Sequence, residues 1–283
     1  MFISPMLLEK RESPFDDDRY IFEPKIDGHR MIMSIQDGAV RLYTRHENEV
    51  TRQYPELHDV PIANSSDAVL DGEVAIVDPE SGAVEFESIM ERFRMSRPMS
   101  IREASVRRPV HYFVFDILRY KGQDVRSKPL TERRALLDDV LQNNRYFSRT
   151  LAVDGAGRKL FEAIKDKDME GIVAKRKDST YVSQRSPKWL KIINYQYATV
   201  RIAGYRKNQF GWLAQLDGRG VGIIELAVPA VHRQAFYGIA KTIVTGEDRN
   251  YVYLEPSIQA VVQFRNWTRA GLLRSPEFVR FIV

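Results

Sequence analysis

The 283-residue sequence contains no cysteine. That excludes disulfides, thiolate zinc sites, iron–sulfur clusters and a cysteine nucleophile, and it fits a reducing compartment. No apolar run approaches the roughly 18–20 residues needed to span a bilayer, so no membrane partner is expected. The opening MFISPMLLEKRESPF has too short an apolar stretch and no basic start for a signal peptide, so a cytoplasmic protein is expected. Repeats, low-complexity tracts and a glycine/serine linker are missing as well. The five histidines, His29, His46, His58, His111 and His232, lack metal-ligand spacing. What is present suits a folded chain: 43% hydrophobic, 11% aromatic and 29% charged residues exclude disorder.

The net charge of +5 is unevenly spread. Residues 1–195 balance 32 basic against 32 acidic side chains, whereas 196–283 hold 11 basic and 6 acidic. A basic C-terminal third beside a neutral body points to an anionic partner, nucleic acid foremost, or to a simple solubility bias.

Strand-like pieces occur at 20–26, 29–35, 40–45, 68–78, 109–118, 171–177 and 188–194, with Asp37-Gly38 as a hairpin turn. Helical pieces fall at 86–95, 130–142 and 155–168. Hairpins mixed with separate helices predict antiparallel α+β architecture. Beyond residue 195 the texture changes to short strands at 198–207, 211–218, 221–228 and 251–267, with one helix at 229–244. Five or so strands and one helix suit a small barrel such as an OB-fold at 196–283.

The sharpest segment is Glu23-Pro24-Lys25-Ile26-Asp27-Gly28-His29-Arg30. A lysine at the end of a β run, held beside other cations, becomes an amine nucleophile, and Arg30 could clamp phosphate or ribose. The competing reading is a surface Asp-Gly turn. Glu73, Glu170, Lys175 and Lys191 are charges embedded in apolar strands, so each faces solvent, a cleft or a partner. Glu73 and Glu170 together could bind Mg²⁺, which takes a few carboxylates plus phosphate oxygens. Arg92, Arg94, Arg97, Arg102, Arg107 and Arg108 crowd one region, either along a phosphate backbone or as a solvated face. Arg206 and Lys207 invite the same two readings, and Trp212 and Trp267 read as barrel core or turn packing.

Six segments in order then carry a resemblance: Lys25-Ile26-Asp27-Gly28-His29-Arg30, Tyr43-Thr44-Arg45-His46, Leu70-Asp71-Gly72-Glu73, Phe113-Val114-Phe115-Asp116-Ile117-Leu118, Glu170-Gly171-Ile172-Val173-Ala174-Lys175 and Trp189-Leu190-Lys191. The chain resembles the covalent nucleotidyltransferases and, among them, the small bacterial ATP-dependent DNA ligases. Asn266-Trp267-Thr268-Arg269 and Leu273-Arg274-Ser275-Pro276 resemble the ligase OB domain.

The resemblance implies an antiparallel nucleotidyltransferase (ATP-grasp-like adenylation) domain at 1–195 and an OB-fold at 196–283. It implies that Lys25 attacks the α-phosphate of ATP to form lysyl-AMP. AMP then passes to the 5′-phosphate of a nick in double-stranded DNA, and the 3′-hydroxyl displaces it. Glu23 would help select the adenine and Phe115 would stack on it. Arg30 and Glu73 would hold ribose and phosphate. Glu170, with Glu73, would hold Mg²⁺ or Mn²⁺. Lys175 and Lys191 would stabilise the α-phosphate, as catalytic and cofactor-binding groups. Arg45 would receive the nick 5′-phosphate, with Arg92, Arg94, Arg206 and Lys207 along the DNA. A monomer near the nucleoid, serving repair, recombination or replication, is the expected setting.

Two positions depart from the family pattern. Ile193 stands where the family often has a second lysine, and Lys188 is the substitute on offer. No RxDK segment occurs near the end, where Arg280 is the stand-in. The alternatives are an RNA ligase or capping-type enzyme, and a noncatalytic nick-binding protein.

Overall fold

The computed structural model describes residues 1–62 and 67–282. The chain divides into two compact units, Met1–Asn194 and Tyr195–Val283. Unit 1 contains strands β1 (Leu7–Lys10), β2 (Tyr20–Pro24), β3 (His29–Gln36), β4 (Ala39–Thr44), β5 (Ala68–Ala75), β6 (His111–Tyr120), β7 (Gln123–Asp124), β8 (Phe147–Arg149), β9 (Val153–Asp154), β10 (Gly171–Arg176) and β11 (Arg185–Ile193). Its helices are α1 (Phe86–Arg94), α2 (Pro98–Arg107), α3 (Leu130–Val140) and α4 (Gly157–Lys165).

These strands make two sheets, ordered β1-β11-β10-β2-β9 and β4-β3-β5-β6-β7, with β8 alongside β6. All pairings are antiparallel except β1–β11 and β6–β8. Side chains alternate faces along a strand, and β3 uses both. Met31, Met33 and Ile35 join Leu42, Leu70, Tyr54 and Leu137 in one core. Ile32 instead joins Val69, Leu118, Ile21 and Trp189 in a second core, made by residues of both sheets. On β10, Ile172 and Ala174 pack with Phe22 and Ile164 on the α4 side. Val173 and Lys175 therefore point the other way, toward the second sheet.

Unit 2 contains β12 (Gln196–Arg206), β13 (Trp212–Leu216), β14 (Arg219–Ile224), α5 (Ala230–Ala240), β15 (Val244–Glu247), β16 (Tyr251–Leu254), β17 (Gln259–Phe264) and β18 (Glu277–Ile282). Its sheet runs β14-β13-β12-β16-β15, with β17 pairing β12 and β18. Trp212 is fully buried against Phe236, with ring centroids 4.4 Å apart, in a core with Val200, Ile202 and Val262. Trp267 is 40% exposed, so only one of the two tryptophans is core.

The fold is mixed and mostly sheet, and no helix among the described residues is long and apolar enough to cross a membrane. The ladders among the described residues do not themselves close into a ring, although an isolated parallel bridge, Leu226 to Glu277, links the segment after β14 to β18; the expected OB-fold barrel is not established. The single strand expected at 251–267 is two, broken around Pro256, which has no amide hydrogen to donate. The helix expected through 244 stops at Ala240, and β15 follows. Residues 98–107, read only as arginine-rich, form α2, whose buried side chains are Ile101 and Ala104.

Candidate active site

The site is a pocket within unit 1, lined by Leu8, Glu23, Pro24, Lys25, Ile26, Arg30, Glu73, Phe115, Thr150, Val173, Lys175 and Trp189. Strand ends and register bring these residues together. Pro24 ends β2, and the Lys25 amide then donates to the Gly171 carbonyl at 2.8 Å. Gly171 has φ +143°, and a Cβ there would lie 2.1 Å from the Ile192 oxygen, so only glycine permits the turn after Glu170. Gly28 serves a similar close approach: a Cβ would stand 2.3 Å from the Val74 oxygen. β3 then places Arg30 directly opposite Glu73 of β5.

At one end of the pocket, the Lys25 ammonium stands 2.6 Å from a Glu170 carboxylate oxygen. Glu170 is 7% exposed. Arg30 forks onto the fully buried Asp71, with Nε–Oδ1 at 3.0 Å and Nη2–Oδ2 at 2.6 Å. The Tyr181 hydroxyl donates to the same Oδ2 at 2.6 Å, so Asp71 fixes the arginine's direction. Burial pushes the Glu73 carboxyl up to about 8, against the pull of Lys25 and Arg30. Glu170 and Asp27 add to the rise.

At the other end, each Glu23 oxygen meets one cation: Oε1 accepts from Arg134 Nη1 at 2.5 Å, and Oε2 lies 2.6 Å from Lys175 Nζ. Glu23 and Lys175 are each only 2% exposed. The Lys175 ammonium lies 4.0 Å from the Phe115 ring centroid and 4.3 Å from that of Trp189. Burial lowers the proton affinity of Lys175, partly offset by Glu23 and Asp116. Phe115 itself is held by its neighbour: Asp116 is fully buried and takes both arms of Arg133 at 2.8 Å.

Several residues singled out by sequence thus meet here: Glu23, Lys25, Arg30, Glu73, Phe115, Glu170 and Lys175. Lys191 shares a face with Trp189 and is the register partner of Val173, so it points toward the same side. Lys188 has the opposite parity and faces away from the pocket, while Ile193 is buried; Lys188 does not replace the missing lysine. Among the described residues no group of three or more His, Asp or Glu side chains is arranged to hold a metal. Glu73 and Glu170 are nevertheless hard oxygen donors near one another, and a carboxyl whose proton is held by burial is one that a cation would stabilise as carboxylate.

The residues assigned to nucleic acid divide. Arg45 and Arg94 are exposed, Arg45 with its Nε 3.0 Å from His46 Nε2. Arg92 is a correction: it is fully buried, donating to the Gln53 carbonyl at 2.6 Å and pairing with Glu56 at 3.0 Å, and so cannot lie along a phosphate backbone. Arg206 pairs with Glu225, and Lys207 with Glu247 at 3.0 Å. Sequence reading passed over Arg133, Arg134 and Tyr181. Arg133 had a signal: it interrupts the apolar stripe Leu130, Leu137, Val140 at helical spacing, where a charge demands a buried partner.

Comparison with known proteins gives the family. Residues 5–192 match the family model described as ATP dependent DNA ligase domain. The chain is 41% identical over 280 residues to the SPbeta prophage-derived DNA ligase-like protein LigB of Bacillus subtilis, covering 98% of each. It is 27% identical over 286 residues to the multifunctional non-homologous end joining DNA repair protein LigD of Mycobacterium tuberculosis, covering 90% of this chain and 35% of LigD. A solved Lig E DNA ligase superposes with a TM-score of 0.71 at 16% identity over all of both chains, a likeness of fold. This chain therefore belongs to the ATP-dependent DNA ligase domain family.

Proposed function

We propose that the chain seals nicks in double-stranded DNA through lysyl-AMP and DNA-adenylate intermediates. Unit 1 is read as the nucleotidyltransferase domain and unit 2 as an OB-fold domain. The observation that carries the reading is the Lys25 amine, held on a Glu170 carboxylate oxygen, in a pocket lined also by Glu73, Arg30 and the Phe115 ring.

In this reading the Lys25 ammonium gives up a proton, and Glu170 Oε2, 2.6 Å away, stands where it can accept one. The freed amine attacks the α-phosphorus of ATP. A nitrogen–phosphorus bond forms, the bond to the β-phosphate bridging oxygen breaks, and pyrophosphate leaves. Arg30 and Lys191 offset charge on the α-phosphate, and Arg30 and Glu73 orient the ribose. Lys175 is the further cation assigned to the α-phosphate, and it is paired with Glu23. Phe115 takes the purine and Glu23 its amino edge. Glu170 and Glu73 are the residues that would hold Mg²⁺ or Mn²⁺, which supplies charge neutralisation at the phosphates. Arg45 and Arg94 are read as phosphate contacts on the nicked strand, with Arg206 and Lys207 as contacts from unit 2.

Incubation with α-labelled ATP and Mg²⁺ tests this. Wild-type protein is expected to take the label covalently and pass it to a single-nick duplex. Lys25→Ala should abolish both, because no other group replaces a covalent nucleophile. Label retained by Lys25→Ala would defeat the mechanism.

A further inference from the structure

We infer that Arg134 is a positioning residue that ties Glu23 to the opposite wall of the base-binding slot and thereby sets the preference for a purine carrying a 6-amino group. This rests on the reading of the pocket as a nucleotide site.

The two walls of the slot belong to different sheets. Glu23 and Val173 are on β2 and β10 of one sheet, while Phe115 is on β6 of the other. Thr150 follows β8, which runs parallel to β6, and its amide donates to the Val114 carbonyl at 2.8 Å. Thr150 therefore moves with the Phe115 wall. Arg134 touches both walls at once: Nη1 donates to Glu23 Oε1 at 2.5 Å, and Nη2 donates to the Thr150 carbonyl at 3.2 Å. A guanidinium is planar and its two arms keep a fixed separation, so it acts as a spacer where a lysine would be a point charge. Its own base is fixed in turn. The preceding Arg133 anchors α3 to β6 through Asp116, and also donates to the Lys128 carbonyl at 2.6 Å and the Ser179 carbonyl at 2.8 Å.

The chemistry of the held group gives the selectivity. A carboxylate only accepts hydrogen bonds. With Arg134 and Lys175 each on one oxygen, Glu23 keeps its charge in a buried place and presents its remaining lone pairs in a set direction. A purine lying between Val173 and Phe115 brings its edge toward that carboxylate, because Glu23 is the register partner of Val173 on the adjacent strand. An exocyclic amine satisfies an acceptor there, and a carbonyl oxygen opposes it.

The test measures covalent nucleotide transfer to Lys25 with ATP and with purine riboside triphosphate, which lacks the 6-amino group. Arg134→Met is expected to raise KM for ATP about tenfold, the worth of one well-placed hydrogen bond to a charged group. KM for purine riboside triphosphate should stay within about twofold of wild type, and the maximal rate with either donor should do so too. Arg134→Lys should fall between, since it keeps the charge and loses the second arm. The ratio of the two KM values is internal to each variant, so a partly unfolded preparation does not disturb it. An equal rise for both donors, or an unchanged ratio, overturns the inference while leaving the ligase reading intact. A wild-type protein that takes no label from ATP overturns both.

Discussion

The two ends of the pocket solve the same electrostatic problem differently. At the Glu23 end, a single carboxylate is shared by two cations, Arg134 and Lys175, and burial is nearly complete. At the Lys25 end, a single amine meets one carboxylate, and a second carboxyl, Glu73, keeps its proton because burial outweighs its neighbours. The first end is charge-paired and deeply buried; the second keeps exchangeable partners. In the proposed reading, such a division suits a site where the base is held throughout while the Lys25 end changes its bonds at each step.

The comparison breaks most severely if the Glu23 end loses its foundation. Asp116→Ala strands the Arg133 guanidinium with no counterion, and removing one member of a buried pair costs on the order of 3–5 kcal/mol. Denaturant melts should show that loss, and an Arg133→Met/Asp116→Leu double variant should recover much of it. No change in the Asp116→Ala midpoint would mean that the pair supports nothing.

A smaller effect probes the exchangeable end. Glu73 has its folded proton affinity raised from 4.5 to about 8, so between those values the folded state holds a proton that the unfolded state has released. Stability then falls as pH rises through that window. Thermal melts in chelating buffer from pH 5 to pH 8 should decline for wild type, and Glu73→Gln should flatten the decline. An identical slope in both proteins would remove Glu73 as the cause.

The smallest effect lies outside the pocket. Arg45→Ala should weaken binding to nicked duplex and reduce the salt slope by about one, as expected for one phosphate contact. Arg94→Ala should act likewise but more weakly, because Arg94 sits at the exposed end of α1. Arg92→Met should leave the salt slope alone and lower the melting temperature instead. A changed slope for Arg92→Met would contradict its burial.

Much of the phosphate end was readable in the chain because its residues sit inside short motifs at strand ends. The strands carrying Glu73 and Lys175 lie within the segments expected, the Phe115 strand runs two residues past its segment, and β2 ends one residue before Lys25. The second support of each group was not readable. Arg134 lies 111 residues from Glu23, and Arg92 lies 36 from Glu56; neither distance leaves a local pattern. Arg92 looked like a surface charge because the other five arginines of its cluster are, yet α1 has an apolar face in Phe86, Ile89 and Phe93, and Arg92 stands three residues from Ile89 at its edge. β18 escaped notice because only Phe278 on it is buried, giving almost no alternation to detect. In unit 2, the strands could be placed from turns and apolar runs, but the ring closure that defines a barrel depends on edge pairing that no single segment encodes.

One consequence follows from the Lys175 ammonium resting over the Phe115 ring with Glu23 at its side. The pocket encloses only ≈ 50 Å³, against about 300 Å³ or more for an ordinary small-molecule site. A visitor bringing negative charge alone, such as inorganic phosphate, finds its natural attractors already engaged with one another. Entry rewards a molecule that presents a flat ring and an anion together, so that every severed internal bond is replaced in the same event. The pairing of its own charges thus selects what the pocket admits.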